Sequence, residues 1–168
     1  MAPTVEIIDL ADDGLVPNNP SLGARIYRAV LPSGADAEAR IEAHFAGNDW
    51  SNAGVNGIYP YHHYNATAHE VLGIARGSAQ VQLGGPSGPV VELAAGDAVL
   101  IPAGVGHCRK GGSADLSVVG AYPGGSNWDL VRATPEARAA AIAKIGRVPS
   151  PAVDPVLGGP FAVSLARS

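Results

Sequence analysis

The chain of 168 residues is long enough to bury one hydrophobic core without disulfide or structural-metal staples. Its formal charge of −4 and pI near 5.6 leave no basic stripe, which argues against nucleic acid or an anionic membrane surface as partner and leaves small molecules. Glycine (22) and proline (14) are abundant without a collagen-like period, a composition suited to short strands joined by many turns.

In chain order, residues 5–10 form a strand candidate followed by the turn signals Ala11-Asp-Asp-Gly14 and Pro17-Asn-Asn-Pro20. Residues 24–31 alternate as a second strand and stop at Pro32. Over 33–45 the period changes: Ala37, Ile41 and Phe45 recur at helical spacing, with Asp36, Glu38, Arg40 and Glu42 outside the stripe. His44 lies beside that stripe and reads as a helix-flank residue. Residues 50–56 read as a polar loop. Further strands are expected over 58–65, 69–75, 78–83, 90–93, 98–101, 105–109 and 114–122, punctuated by turns in the manner of a sandwich or barrel. Thr134-Pro135-Glu136 has the composition of a helix start, and Lys144 and Gly146 of its end. From Arg147 onward the prolines predict an extended strap.

The segment Met1-Ala-Pro-Thr-Val-Glu6 lacks the basic and apolar regions of a signal peptide, and no run of about 18 apolar residues is present, so a cytoplasmic location is expected. The one cysteine, Cys108, agrees with a reducing compartment and reads as packing, since adjacent strand residues point to opposite faces and His107 precedes it.

Four of the five histidines fall between Gly57 and His107. A strand over 58–65 would put Tyr59, Tyr61, His63 and Asn65 on one face; a strand over 69–75 would put Glu70, Leu72 and Ile74 together. His62 and His69 have the opposite parity to His63 and Glu70. Spacing by itself leaves open whether these faces converge with His107.

Two runs resemble the paired motifs of the cupin superfamily. Gly57, His63, Asn65, Glu70 and Gly77 match the first, with Asn65 at the position of its second histidine. Gly96, Pro102, Gly104 and His107 match the second, with Gly111 where asparagine is usual. The wider pattern, including Pro17-Asn-Asn-Pro20, Thr67-Ala-His-Glu-Val-Leu-Gly73, Leu83-Gly-Gly-Pro86 and Gly120-Ala-Tyr-Pro123, is similar to the small bacterial YjlB-like cupins. The resemblance implies an all-β fold with two peripheral helices, a double-stranded β-helix or jelly roll, as one domain over 1–168. In that domain 1–32 is an N-terminal arm, 57–77 and 96–111 carry the motifs, and 134–168 is helix and strap. A homodimer is the common assembly.

It further implies a divalent metal (Fe, Mn, Ni or Zn) on His63, Asn65, Glu70 and His107. An amide oxygen at Asn65 is a harder, weaker ligand than imidazole, leaving two histidines and a carboxylate as the strong donors. Glu70 and Tyr61 are the candidate catalytic residues. Tyr59, Arg109 and Tyr122 are candidate contacts for a small-molecule ligand, Arg109 through a bidentate grip on a carboxylate. The expected function is a metal-dependent, dioxygenase- or isomerase-like enzyme on a small organic metabolite. The alternative is a binding or sensing cupin with a weakened metal site.

Overall fold

A computed structural model describes residues 4–163, so the ends of the expected arm and strap, 1–3 and 164–168, lie outside the described residues. Eleven strands occur among them: β1 (Thr4–Ile8), β2 (Ala24–Arg28), β3 (Trp50–Asn56), β4 (His63–Tyr64), β5 (Glu70–Arg76), β6 (Ser78–Leu83), β7 (Val90–Ala94), β8 (Ala98–Ile101), β9 (His107–Gly112), β10 (Ser117–Pro123) and β11 (Val131–Arg132). Two helices, α1 (Ala37–Gly47) and α2 (Arg138–Ile145), and a 3-10 turn Phe161–Val163 complete the fold. The strands form two antiparallel sheets, one in the order β1-β2-β8-β5-β10-β3 and one in the order β11-β4-β9-β6-β7. This is the double-stranded β-helix. Neither helix is long and apolar enough to cross a membrane.

Strand alternation builds the core between the sheets. In β6, Ala79, Val81 and Leu83 are buried while Ser78, Gln80 and Gln82 are less so, and the buried set packs with Leu93 of β7. From the other sheet Ile26, Leu72, Ile74 and Val99 join the same cluster. Each such side chain contributes roughly 1.5–3 kcal/mol on burial. The opposite parity of the larger sheet, including Val71, Leu100 and Val119, packs against the Ala37, Ile41, Phe45 stripe of α1. Strands buried on both faces explain why β5 and β8 read as near-continuous apolar runs. Gly73 lets the helix approach: a Cβ there would lie 2.8 Å from Leu31 Cδ1 and 2.9 Å from Ile41 Cγ2.

Several boundaries differ from the sequence reading. Residues 50–56 are a strand, β3, an edge strand hydrogen-bonded to β10 and therefore free to be polar. Only His63 and Tyr64 of the expected 58–65 strand are paired, because the preceding stretch contains Pro60, which has no N–H to give to a ladder. β9 starts at His107 and runs to Gly112, beyond the expected end at 109. β10 starts at Ser117, and β11 was not anticipated. α1 starts at Ala37 rather than 33, and α2 at Arg138; Thr134 Oγ1 accepts a hydrogen bond from Ala137 N at 3.2 Å in the turn before it.

Candidate functional site

The two motifs meet because β4 and β9 pair with His63 opposite His107. Next to that pair, Gly104 N–H donates to Asn65 O at 2.7 Å and Ala103 N–H donates to His69 Nδ1 at 2.9 Å, clamping the second-motif turn onto the first motif. Gly104 has φ +88°, and a Cβ on it would lie 2.6 Å from Ile145 Cδ1, which accounts for glycine at this turn. Glu70 enters from β5, where it pairs with Ile101 of β8.

The two imidazoles stand with ring centroids 4.0 Å apart and planes at 54°. His63 Nδ1 lies 2.9 Å from Tyr61 O, and His107 Nδ1 lies 3.2 Å from Val105 O. A carbonyl only accepts, so these contacts assign a hydrogen to Nδ1 in both rings. Burial, and then the neighbouring His107, push the His63 pKa down to about 3, so this ring is neutral at ordinary pH. His107 Nε2 lies 3.5 Å from Glu70 Oε1. The other carboxylate oxygen, Oε2, accepts a 2.6 Å hydrogen bond from the Tyr122 hydroxyl. Burial, and then the Glu70 charge, raise the Tyr122 pKa well above the ordinary phenol range, which keeps the phenol a donor.

These groups open on a cavity of about 430 Å³ whose wall includes Tyr59, His63, Asn65, Glu70, His107, Tyr122 and Trp128. Two imidazoles anchored through Nδ1, with His63 held neutral, beside a carboxylate with one oxygen left over have the donor chemistry that a divalent cation requires. Among the described residues, however, no three His, Cys, Asp or Glu side chains already stand in metal-holding geometry.

No family model matches the chain. The uncharacterised protein YjlB of Bacillus subtilis (strain 168) is 40% identical over 147 residues, which span 88% of this chain and 87% of the relative. The chain belongs to the YjlB-like cupins. Solved structures with a likeness to this YjlB-like cupin are more distant. Acireductone dioxygenase from Bacillus anthracis, with cadmium in its active centre, is 19% identical with a TM-score of 0.38, covering 71% of this chain and 77% of its own. RmlC from Streptococcus suis, in complex with dTDP-D-xylose, is 12% identical with a TM-score of 0.39, covering 75% and 72%. At such distances neither carries an assignment of activity.

Of the residues singled out by sequence, this YjlB-like cupin brings His63, Asn65, Glu70, His107, Tyr59 and Tyr122 to one cavity. Tyr61 and Arg109 are placed elsewhere. Tyr61 backs the wall, stacked on Tyr59 at 5.1 Å, edge-on to His63 at 5.6 Å and covered by the Arg132 guanidinium at 4.2 Å. Arg109 is a brace: its Nε donates to Ile58 O and its backbone N to Tyr59 O, both at 3.0 Å, which holds the unpaired 58–59 stretch in position. For Tyr61 the expected parity fails because residues 57–62 are not a strand; Arg109 keeps the parity of His107 within β9, but its guanidinium is taken up by Ile58 O. His69 is a structural clamp, with Nε2 2.8 Å from Pro149 O as well as Nδ1 on Ala103. His44 Nε2 contacts Val156 O of the strap at 2.8 Å, as a helix-flank residue should. Cys108 is buried. Asn52, Asn56, Trp128 and Leu130 also line the cavity. Trp128 carried a usable signal, a large aromatic in a polar, glycine-rich loop; the two asparagines carried none.

Proposed function

We propose that the cavity is the active site of a metal-dependent enzyme acting on a small organic metabolite, with a divalent cation held by His63, Glu70 and His107 and Asn65 as a weaker fourth contact. The observation that carries this reading is the matched pair of Nδ1-to-carbonyl hydrogen bonds, which leaves Nε2 as the nitrogen that each histidine can offer a cation in one buried site beside a carboxylate. Such a cation supplies Lewis acidity, or redox chemistry if it is iron.

The chain's own residues have separable roles. Tyr122 holds Glu70 Oε2 and thereby leaves Oε1 as the available oxygen on the His107 side. Tyr59 and Trp128 form the wall against which a ligand lies. Burial keeps His63 unprotonated, so cation binding there need not displace a proton from it. Because the ligand group is not preassembled, small movements of Glu70 or His63 accompany uptake.

Cobalt(II) titration followed by visible absorption tests this reading. The wild-type protein should develop the ligand-field bands of a bound ion at about one equivalent, and Glu70→Gln should bind at least about tenfold more weakly. Tyr122→Phe should weaken binding less, since it loses only the group that orients Glu70. Wild-type protein that gives the spectrum of the free aquo ion would remove the metal from the account. A binding module without catalysis is the second reading, supported by the neutral amide at Asn65; a ligand recovered unchanged after long incubation with metal-loaded protein would favour it.

A further inference from the structure

The cavity wall has a chemistry of its own apart from the histidines and Glu70. It contains no lysine or arginine among the described residues. Two guanidiniums on the flanking strands are engaged elsewhere, Arg109 on Ile58 O and Arg132 over Tyr61. Nothing on the wall is therefore placed to neutralise a phosphate, or a carboxylate away from the proposed cation.

Neutral hydrogen-bonding groups take their place. Asn65 is only 6% exposed, lines the cavity, and its side-chain amide has no hydrogen-bond partner among the described residues. An amide that faces the cavity offers a ligand both a donor and an acceptor. Asn56 presents a second unpaired amide to the same space, and Asn52 has only a 3.4 Å contact with Ser126 O. Beside them Trp128 stacks on Tyr122, with centroids 5.4 Å apart and planes at 13°, yet remains 47% exposed. Tyr59, stacked on Tyr61, is 50% exposed. Aromatic faces next to amides match a molecule that has C–H faces and hydroxyl edges.

We infer that the ligand class is a neutral polyhydroxylated compound of monosaccharide size, with hydroxyls on the Asn56 amide and the Asn65 Nδ2 donor and ring C–H groups against Trp128. The inference rests on the reading of this cavity as the ligand site but not on the cation. The volume of about 430 Å³ suits one such unit rather than a nucleotide-sized molecule.

Isothermal titration calorimetry of the full-length protein tests it, with D-glucose, D-xylose and myo-inositol as neutral probes against glucose 6-phosphate and glucuronate, each with and without chelator. At least one neutral probe should bind at roughly millimolar Kd or better, about tenfold tighter than the anionic probes. Trp128→Ala and Asn56→Ala, both at exposed positions, should each weaken it by about tenfold while circular dichroism is unchanged. Equal or tighter binding of the anionic probes, no saturable binding of any neutral probe, or unchanged affinity in both variants would overturn the inference. Elemental analysis of the same samples keeps the two readings apart. Neutral-probe binding by protein that takes up no metal removes the metal reading alone, whereas metal uptake without neutral-probe binding removes this one alone.

Discussion

His69 and Glu70 are consecutive, yet one braces the chain and the other faces the cavity. His69 accepts Ala103 N–H at Nδ1 and donates from Nε2 to Pro149 O, so a proton on Nδ1 would break the clamp between the motifs. Burial accordingly depresses its pKa below the ordinary value of 6.5. The sign of the linkage follows: an unfolded chain takes up this proton first as pH falls, so the stability is fully present above about pH 6.5 and is lost as pH falls through the folded value. His62 and His63 are shifted in the same direction and add to the slope. Thermal unfolding midpoints should fall between about pH 7 and pH 5, and His69→Gln should lower the midpoint at neutral pH while making that fall shallower. A variant with the wild-type slope would deny His69 this role. The motif residues were legible because their spacing is matched to the barrel. Tyr61 was misplaced because Pro60 interrupts the strand on which its parity was counted, whereas Arg109 lies on β9 with the expected parity and is held off the cavity by its hydrogen bond to Ile58 O.

At the scale of elements, periodicity identified most of what the chain builds. The clean alternation of β6 and the Ala37, Ile41, Phe45 stripe of α1 were both visible because each has one buried and one wet side. β3 escaped notice because an edge strand beside a cavity needs neither apolar side chains nor strict alternation, and Asn52 even adopts a positive φ of 57°. β11, two residues long, pairs with β4 and carries no pattern to read. The packing of α1 on β5 depends on Gly73, where a Cβ would also meet Phe45 Cζ at 3.0 Å. Gly73→Ala should therefore cost about 1–3 kcal/mol by overpacking, read from the denaturant midpoint at unchanged slope. A variant as stable as the wild type would show that the helix can shift without penalty.

Across the whole molecule, the C-terminal strap ties the larger sheet to α1. Asp154 is fully buried; it takes Arg25 Nη1 at 3.1 Å and the Tyr27 hydroxyl at 2.7 Å on one oxygen, and the backbone N–H groups of Val156 and Leu157 at 2.8 Å on the other. Trp50 Nε1 and Asn48 Nδ2 add bonds to Val153 O and Pro155 O, each at 2.8 Å. Asp154→Ala leaves a buried guanidinium facing a lost partner, and should cost roughly 3–5 kcal/mol and speed proteolysis within the strap. Equal stability and equal protease resistance would contradict that assignment.

The central claim is that the same frame holds His63, Glu70 and His107 as a metal site. Elemental analysis by plasma mass spectrometry of the purified, untagged protein beside His107→Ala tests it most directly. The wild type should carry close to one equivalent of Fe, Mn, Ni or Zn, and the variant should lose it. Metal-free wild-type protein, or a variant that retains the same metal content, would contradict it.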